Sequence, residues 1–337
     1  MQAPELTPEL PDARHPRSSG RAIRAAYHSS SAGNLPADAL AVVQFGGAVR
    51  DTPKNALGIR VRLQPIDGDD YSEVWSATGP VRLGTHGHVR YACDDRHLFG
   101  LIELDEREHG DIATASALAY SAIADFQRDS SHPHLLRMWN YLDAINEGSG
   151  DDERYRQFCV GRARGLATMQ AGAFPAASAI GHQESTHILQ VYWLAGRSPG
   201  TAIENPRQVS AYRYPRVHGP VSPSFARATL SSDLTLLISG TASIVGHSSV
   251  HDDDVQAQLE ETLRNLSTLR TLAATPKDST TLLKAYVRDP SDARRIKERL
   301  SQLLPTEFPA AQLLYLAADI CRRELLLEIE GVQLASA

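Results

Sequence analysis

The stretch that organises the chain is Phe308-Pro-Ala-Ala-Gln-Leu-Leu-Tyr-Leu-Ala-Ala-Asp-Ile-Cys-Arg-Arg-Glu-Leu-Leu-Leu-Glu-Ile-Glu-Gly331. It predicts two short strands joined by a turn. The second strand alternates between two sets of side chains, Leu325, Leu327 and Ile329 on one face and Leu326, Glu328 and Glu330 on the other. An alternation with period two is typical of a β-strand. One face of this strand is therefore wholly apolar, and the other carries two carboxylates.

Glu328 is the residue of chemical interest in this strand. Apolar surroundings and a second carboxylate at Glu330 both raise the pKa of a carboxyl group. A carboxyl group that stays protonated near neutral pH is what proton donation to carbon requires. The same pattern also allows a solvent-facing glutamate on an edge strand, so the surroundings of Glu328 decide between the two interpretations.

The composition is that of an ordinary globular protein, with 337 residues, 42% hydrophobic and 22% charged. A net charge of −6 gives no reason to expect a nucleic-acid or membrane partner. No apolar run approaches the ~20 residues that span a bilayer, and Met1 to Ser19 lacks the apolar segment of a secretory signal. Three widely spaced cysteines favour a reducing compartment, so we expect a cytoplasmic protein.

The sequence contains an internal repeat. Gly79-Pro-Val81 recurs as Gly219-Pro-Val221 at an offset of 140 residues, and Phe174-Pro-Ala-Ala177 recurs as Phe308-Pro-Ala-Ala311. Between these markers each copy has an amphipathic helix with an apolar stripe, formed by Ile112, Ser116, Ala119, Ile123 and Phe126 in one copy and by Val255, Leu259, Thr262, Leu266 and Leu269 in the other. Asp111 and Asp254 stand where helix N-caps belong. Together these matches predict a duplication.

Each copy predicts the order β-β-α-β-α-β-β, with two helices packed on one face of a sheet, and the fold class is therefore α+β. We expect an irregular N-terminal segment over 1–37, a first copy over 38–197 and a second over 207–337, with the Gly-, Pro- and Ser-rich run Gly196 to Pro206 between them. The apolar runs within 38–77 are expected to add strands to the first copy.

The order of elements, with Ser239-Gly-Thr-Ala-Ser-Ile-Val-Gly246 before the helix, resembles the RidA/YjgF fold. Members of that fold form trimers with ligand pockets between protomers, so the resemblance implies a pocket between the two copies and favours a monomer with a pseudo-oligomeric repeat. The imine deaminases of that family carry an arginine where this chain has Ala177 and Ala311. A deaminase activity therefore lacks its carboxylate anchor.

Longer motifs resemble the chorismatases, which convert chorismate to pyruvate and a hydroxybenzoate or dihydroxydienoate. They are Arg137-Met-Trp-Asn-Tyr141, Ile145-Asn146, Glu153-Arg-Tyr-Arg-Gln-Phe158, Gly161-Arg162, Asn205-Pro-Arg-Gln-Val-Ser-Ala-Tyr-Arg-Tyr-Pro-Arg216, Ser222-Pro-Ser-Phe-Ala-Arg227 and the segment around Gly240. Within the family the chain most resembles the branch that makes both 3- and 4-hydroxybenzoate for pigment and ubiquinone synthesis. The resemblance implies a cofactor-free lyase whose substrate is chorismate, and it gives Glu328 the role of the acid that protonates the enolpyruvyl methylene.

Chorismate has two carboxylates, and the guanidinium fork of arginine suits a carboxylate. We expect Arg162, Arg213 and Arg227 to supply the anchors, since each lies in a chorismatase-like motif. Phenolic donors are expected from Tyr155 and Tyr212. Arg137, Arg154 and Arg216 are interpreted as ordinary ion-pair or surface residues, and Tyr141 and Tyr214 as core or surface residues.

The resemblance also implies that Cys321 and Gly240 shape the product. The 3-hydroxybenzoate-forming branch carries a cysteine seven residues before the catalytic glutamate and a glycine at the Gly240 position, where a small residue leaves room for the ring. A buried small hydrophobe is the alternative for Cys321, and Cys93 and Cys159 are assigned to packing.

Metal binding is not predicted, because His86 and His88, and His247 and His251, lack further ligands at fixed spacing. Two other functions stay open at this level. One is the imine deaminase, and the other is a non-catalytic ligand-binding module on the same fold.

Overall fold

The computed structural model describes residues 22–31, 33–47, 51–167 and 174–335. Met1 to Ser19, the segment considered above as a secretory signal, lies outside the described residues, as does part of the N-terminal segment 1–37.

The N-terminal part of the described chain forms a separate four-stranded sheet. Its strands lie in the order β1-β5-β2-β3, with bounds β1 Arg24–Ser29, β2 Ala39–Phe45, β3 Leu57–Val61 and β5 Tyr71–Ser76. Two expectations are corrected here, since the segment 1–37 contains a strand and the runs within 38–77 do not extend the sheet of the first copy. The physical reason is that every residue of β2 is buried. Such a strand needs neighbours on both faces, and β2 has them as an inner strand of a sheet that forms a separate layer.

The first copy follows as a sheet with its helices on one face. Its elements are β6 Arg82–His86, β7 Val89–Cys93, β8 His97–Asp105, α1 Glu106–His109, α2 Ile112–Asp129, β9 His134–Asp143, α3 Arg154–Gly165, β10 Ala176–His182 and β11 Ile188–Gly196.

The second copy repeats this arrangement. Its elements are β12 Thr201–Ile203, β13 Ala228–Leu230, β14 Leu236–Thr241, β15 Ile244–Val245, β16 Ser248–Ser249, α4 Val255–Leu272, β17 Thr281–Val287, α5 Ala293–Glu307, β18 Ala311–Ala317, β19 Asp319–Ile320 and β20 Leu327–Gln333.

The duplication is visible in the sheet order, which is β7-β8-β11-β9-β10 in one copy and β13-β14-β20-β17-β18 in the other. The predicted α+β class is confirmed, because the chain has two tandem copies of one sheet, each with two long helices on one face. The long helices begin as expected, because Asp111 accepts a hydrogen bond from the Thr114 amide and Asp254 from the Gln256 and Ala257 amides. All ten residues of the two predicted stripes are buried.

Strands from outside each copy close its sheet edge. Near the end of the chain, β19 pairs with β10 of the first copy, while the short strand β4 Gln64–Pro65 pairs with β18 of the second. The copies also meet directly, since the Ala176 amide donates to Thr229 Oγ1 and the Ala177 amide donates to Ser239 Oγ, both at 2.9 Å. Pairing of this kind removes exposed strand edges and ties the copies together beside β10.

The N-terminal sheet covers the faces of both copies that lack helices. Trp75 of this sheet contacts Phe99 and Trp139 of the first copy, with ring centroids 5.2 and 6.1 Å apart. The same apolar cluster includes Tyr286 of the second copy. All three sheets therefore share one core.

Candidate active site

A cavity of about 260 Å³ lies where the two copies meet. The first copy contributes α3 and the middle of β10, and the second contributes β14, β20 and the turn before β20. The cavity is lined by Glu153, Tyr155, Arg156, Arg162, Ala177, Ser178, Ala179, Tyr214, His218, Pro223, Phe225, Arg227, Gly240, Ala242, Ile244, Cys321, Arg322, Arg323, Glu324 and Glu328.

Glu328 projects into this cavity from β20, where it pairs with Tyr286 of β17. It is only 4% exposed. Burial, together with the charge of Glu330, raises the pKa of Glu328 to about 8, although Arg137 and Arg227 oppose the shift. No hydrogen bond holds its carboxyl within the described ranges. At neutral pH the group is therefore a protonated acid that faces a cavity.

Gly240 of β14 provides the space for the Glu328 carboxyl. A Cβ atom at this position would lie 1.8 Å from Glu328 Oε1 and 3.1 Å from Ser178 Oγ. The backbone amide of Gly240 donates to Ser178 Oγ at 2.9 Å. The sequence assigned Gly240 to making room for a ring, and the structure shows that the carboxyl of Glu328 needs this room first.

Glu330, two residues along the same face, is in the opposite state. Its carboxylate accepts from four donors, namely Arg137, Ser178, Trp139 Nε1 and Lys284 Nζ. Burial disfavours its charge, but Lys284 and Arg137 outweigh that cost and lower the pKa of Glu330 below its ordinary value. Two carboxyls on one strand are thus held in different protonation states, which is the pattern that separates an acid from a fixed charge.

Two of the three predicted arginines line the cavity. Arg162 lies on α3 and is 3% exposed, yet its Nε and one terminal nitrogen have no hydrogen-bond partner among the described residues. Arg227 donates to Tyr214 Oη at 2.6 Å and to the Val209 carbonyl, and its Nε has no partner in the part of the chain that the structure describes. Buried guanidinium donors without partners are costly, and an anion in the cavity would satisfy them.

Tyr155 and Cys321 also line the cavity, as placed from the sequence. Cys321 lies in the turn before the final strand, as expected. Burial and the neighbouring Glu328 raise the pKa of the Cys321 thiol, and burial raises that of the Tyr155 phenol. Both groups therefore present neutral S–H and O–H groups to a ligand, and Cys321 is not a thiolate.

Tyr212 and Arg213 do not belong to the cavity wall. They lie in a short 3-10 turn, Ala211–Arg213, where Tyr212 packs on Phe174 and Arg213 is exposed with its guanidinium over the Tyr212 ring. Tyr214, interpreted above as core or surface, lines the cavity instead. The turn rotates successive side chains by about 120°, and the sequence gives no sign of which one faces inward.

Other cavity residues were missed because their positions depend on long-range packing. Arg156, Arg322 and Arg323 bring further positive charge to the wall, and Arg322 is held by the His247 carbonyl and Ser249. Arg137, interpreted above as an ordinary ion-pair residue, is fully buried behind the cavity with Glu330 as partner. The duplicated Phe-Pro-Ala-Ala motif was the available signal for Ser178, the residue that follows its first copy.

The position that would distinguish an imine deaminase carries no charge here. Ala177 lines the cavity, and Ala311 begins β18. In the part of the chain that the structure describes, no three His, Cys, Asp or Glu side chains are grouped so that they could hold a metal ion. None of the described helices is both long and apolar enough to cross a membrane.

Comparison with known proteins identifies a family that this chain resembles. Residues 73–195 match the family model "Chorismatase FkbO/Hyg5-like, N-terminal". A chorismatase of Streptomyces rapamycinicus is 36% identical over 287 residues, which are 79% of this chain and 83% of that protein. A 3-hydroxybenzoate synthase of Streptomyces hygroscopicus is 33% identical over 294 residues, 81% of this chain and 84% of that protein.

The structural likeness spans nearly the whole chain. A chorismatase crystal structure at 1.08 Å resolution superposes with a TM-score of 0.82 and 31% sequence identity, covering 93% of this chain and 98% of the other.

Proposed function

Since the chain belongs to the chorismatase family and acts on chorismate, we propose that it releases pyruvate and forms 3-hydroxybenzoate and 4-hydroxybenzoate. The observation that supports this most strongly is Glu328, a buried acid with a pKa raised to about 8 in a cavity lined by arginines. A relative that is named a 3-hydroxybenzoate synthase supports the choice of product.

In the proposed reaction Glu328 donates its proton to the methylene carbon of the enolpyruvyl ether. The side chain becomes an oxocarbenium ion, and the bond between its oxygen and the ring weakens. Protonation of an enol ether at carbon is slow without a positioned acid. A carboxyl with a pKa near 8 is protonated at neutral pH, and in a dry site it is still acidic enough to transfer the proton.

The substrate carboxylates are assigned to the unpaired arginine donors. Arg162 and Arg227 are the anchors because each is buried and each retains a free N–H within the described structure. Tyr155 and Tyr214 supply phenolic donors to the same space. Tyr212 and Arg213 are no longer proposed as binding residues, because they lie outside the cavity wall.

Loss of pyruvate then sets the product. For 3-hydroxybenzoate the oxygen of the neighbouring ring hydroxyl bonds to the carbon that loses the protonated side chain and so bridges two ring carbons. Its original carbon–oxygen bond then breaks, and the hydroxyl proton is released to balance the proton that Glu328 donated and later regains. Loss of the hydrogen from the carbon that keeps the oxygen, with protonation of that oxygen, restores aromaticity. The atoms of chorismate equal those of one hydroxybenzoic acid plus one pyruvic acid, so no co-reactant is consumed. Cys321 and Gly240 adjoin Glu328 and are proposed to control the ring position. The use of both acids in pigment and ubiquinone synthesis, and the cytoplasmic location, are part of this proposal, and the three free cysteines agree with the location.

The test is to incubate the purified chain with chorismate and to measure pyruvate enzymatically and the aromatic acids by chromatography. Glu328→Gln should abolish pyruvate release while the fold persists. Glu298→Gln, which makes the same change on the exposed face of α5, is the matched control and should retain turnover. A wild-type chain without turnover that still binds chorismate would instead indicate a ligand-binding module.

A further inference from the structure

Four charged side chains from three sheets meet in the core behind the cavity. Lys284 Nζ lies 2.7 Å from Glu73 Oε2 and 2.8 Å from Glu330 Oε1, and Arg137 lies 2.8 Å from Glu330 Oε2. None of the four is more than 3% exposed. Glu73 belongs to β5 of the N-terminal sheet, Arg137 to β9, Lys284 to β17 and Glu330 to β20. We refer to these four residues as the charge network.

A buried network of this kind is not needed for stability alone. Well-packed apolar residues of similar volume are often as stabilising as a buried ion pair or more so, and the surroundings here are aromatic, with Trp75 and Trp139 hydrogen-bonded to Glu73 and Glu330. The network contains two cations and two anions, so it is neutral by itself. A negative charge on Glu328 would add a fifth charge beside it.

The charged and titratable groups that act most strongly on Glu328 come from several elements, while Tyr155, Arg156, Arg162, Tyr214, His218, Arg322, Arg323, Glu153 and Glu324 line the rest of the cavity. Glu330 lies on the same strand, Arg137 lies behind it, Arg227 faces it across the cavity and Cys321 adjoins it. Tyr286 is the strand partner of Glu328, and it belongs to a tyrosine group in which Tyr141 Oη lies 3.1 Å from Tyr286 Oη. Burial raises the pKa values of both phenols, so they stay neutral. Glu330 is thus the anion whose charge acts on Glu328.

We propose that Glu330 is a positioning residue whose fixed negative charge, acting together with burial, keeps Glu328 protonated, and that Glu73, through its ion pair with Lys284, includes the N-terminal sheet in this charge network. The proposal rests on the function proposed above and adds to it the residues that maintain the acid. Lys284 and Arg137 hold Glu330 ionised, and Ser178 links it to Gly240 through hydrogen bonds to both. The N-terminal sheet then helps to maintain the acid through Glu73, although Glu73 does not line the cavity.

The decisive variant is Glu330→Gln, which preserves the shape of the side chain and removes its charge. Residues two apart in a strand are separated by about 6.6 Å, and at an effective dielectric constant of about 20 their repulsion corresponds to roughly one to two pH units. The pH above which kcat falls should therefore decrease by about that amount. Glu330→Asp keeps the charge, so in this variant kcat should begin to fall at the same pH as in the wild type.

Glu73→Gln is the matched control within the network. It makes the same chemical change next to the same lysine, but farther from Glu328, so its shift should have the same direction and a smaller size. If Glu330→Gln does not fold, the pH dependence of kcat in Glu73→Gln decides. If kcat in that variant falls at the same pH as in the wild type, the result counts against the proposal.

A second readout does not depend on turnover. The infrared band of a protonated carboxyl, assigned by its loss in Glu328→Gln, should persist to about pH 8 in the wild type and disappear at a lower pH in Glu330→Gln. This readout distinguishes failure of the proposed function from failure of the inference about Glu330. If chorismate is not turned over but the carboxyl band of Glu330→Gln still disappears at a lower pH, only the proposed function is overturned. A folded Glu330→Gln variant with both the band and the kinetic limb in their wild-type positions overturns the inference.

Discussion

A Cβ atom on Gly240 would lie 1.8 Å from Oε1 of Glu328. The atom in the way is the far end of a flexible side chain, so the protein can relieve the contact by moving the carboxyl at little cost to the fold. The absence of a side chain at Gly240 on β14 therefore decides where the carboxyl of Glu328 on β20 can lie. The acid depends on the close contact between these two neighbouring strands.

Gly240→Ala should separate activity from stability. The carboxyl must leave its place, and a displacement of about 1 Å from productive geometry can cost on the order of a hundredfold in rate. The midpoint of thermal unfolding should change little. The control is Gly47→Ala, two residues after the end of β2, where an added Cβ meets no atom within 4 Å. Full activity in Gly240→Ala would contradict the placement of Glu328.

The pH dependence of kcat should follow the protonation of Glu328. Because the acid form is the active one and its pKa is about 8, kcat should be nearly constant below that pH and then fall about tenfold per unit. A stopped assay of pyruvate between pH 5 and 10 checks this. A fall in rate that begins near pH 5 would mean that Glu328 has an ordinary pKa.

The same pKa predicts how stability changes with pH. Glu328 has a folded pKa of about 8 against an ordinary value of 4.5, so the folded state binds the proton more tightly than the unfolded state does. The wild type should lose stability relative to Glu328→Gln by about 1.4 kcal/mol per unit between those two values. The difference should be small below pH 4.5 and level above pH 8. Denaturant titrations of both proteins at three pH values measure it.

Replacement of Arg162 should weaken substrate binding without harming the fold. Arg162→Met removes a buried guanidinium that has unpaired donors, so the apo-protein should be as stable as the wild type or more so. Loss of a charged hydrogen bond to substrate should raise KM about tenfold or more. Arg213→Met is the control, because Arg213 is exposed and its replacement should leave KM unchanged.

Cys321→Ala should change the ratio of 3- to 4-hydroxybenzoate and preserve pyruvate release. The neutral thiol adjoins Glu328, so its removal alters the space that the ring occupies after protonation has taken place. Cys93→Ala, at a buried cysteine in β7 outside the cavity wall, is the matched control. An unchanged product ratio in Cys321→Ala would remove this role.

Much of the fold follows from local patterns in the sequence. The paired helical stripes, the N-cap aspartates and the repeated Phe-Pro-Ala-Ala predict the duplicated unit, because each reports on one element and its immediate neighbours. The N-terminal sheet could not be assigned in this way. Its central strand, Ala39–Phe45, is buried on both faces, and an apolar run does not indicate which sheet it will join.

The residues of the site also fall into those that the sequence indicates and those that only long-range packing brings into place. Strand alternation singles out Glu328 as a candidate, and the resemblance to the chorismatases implies its role. Cys321 follows from that resemblance alone, and its place in the preceding turn is compatible with it. The partners that hold the neighbouring Glu330 come from far away in the chain, since Arg137 is 193 residues before it. Tyr214 directly follows the 3-10 turn that holds Tyr212 and Arg213, and it was missed because the rotation of side chains along this turn decides which of them faces the cavity. Distances of this kind are set by packing, which the sequence alone does not display.

Hydrogen isotope transfer tests the central claim most directly. If Glu328 protonates the methylene carbon, its exchangeable proton comes from solvent, so turnover of chorismate in D₂O should place one deuterium in the methyl group of pyruvate. Pyruvate is trapped at once by reduction to lactate, which prevents later exchange, and the label is counted by mass spectrometry. Pyruvate without deuterium, as expected if the methylene takes its hydrogen from the ring, would contradict the account.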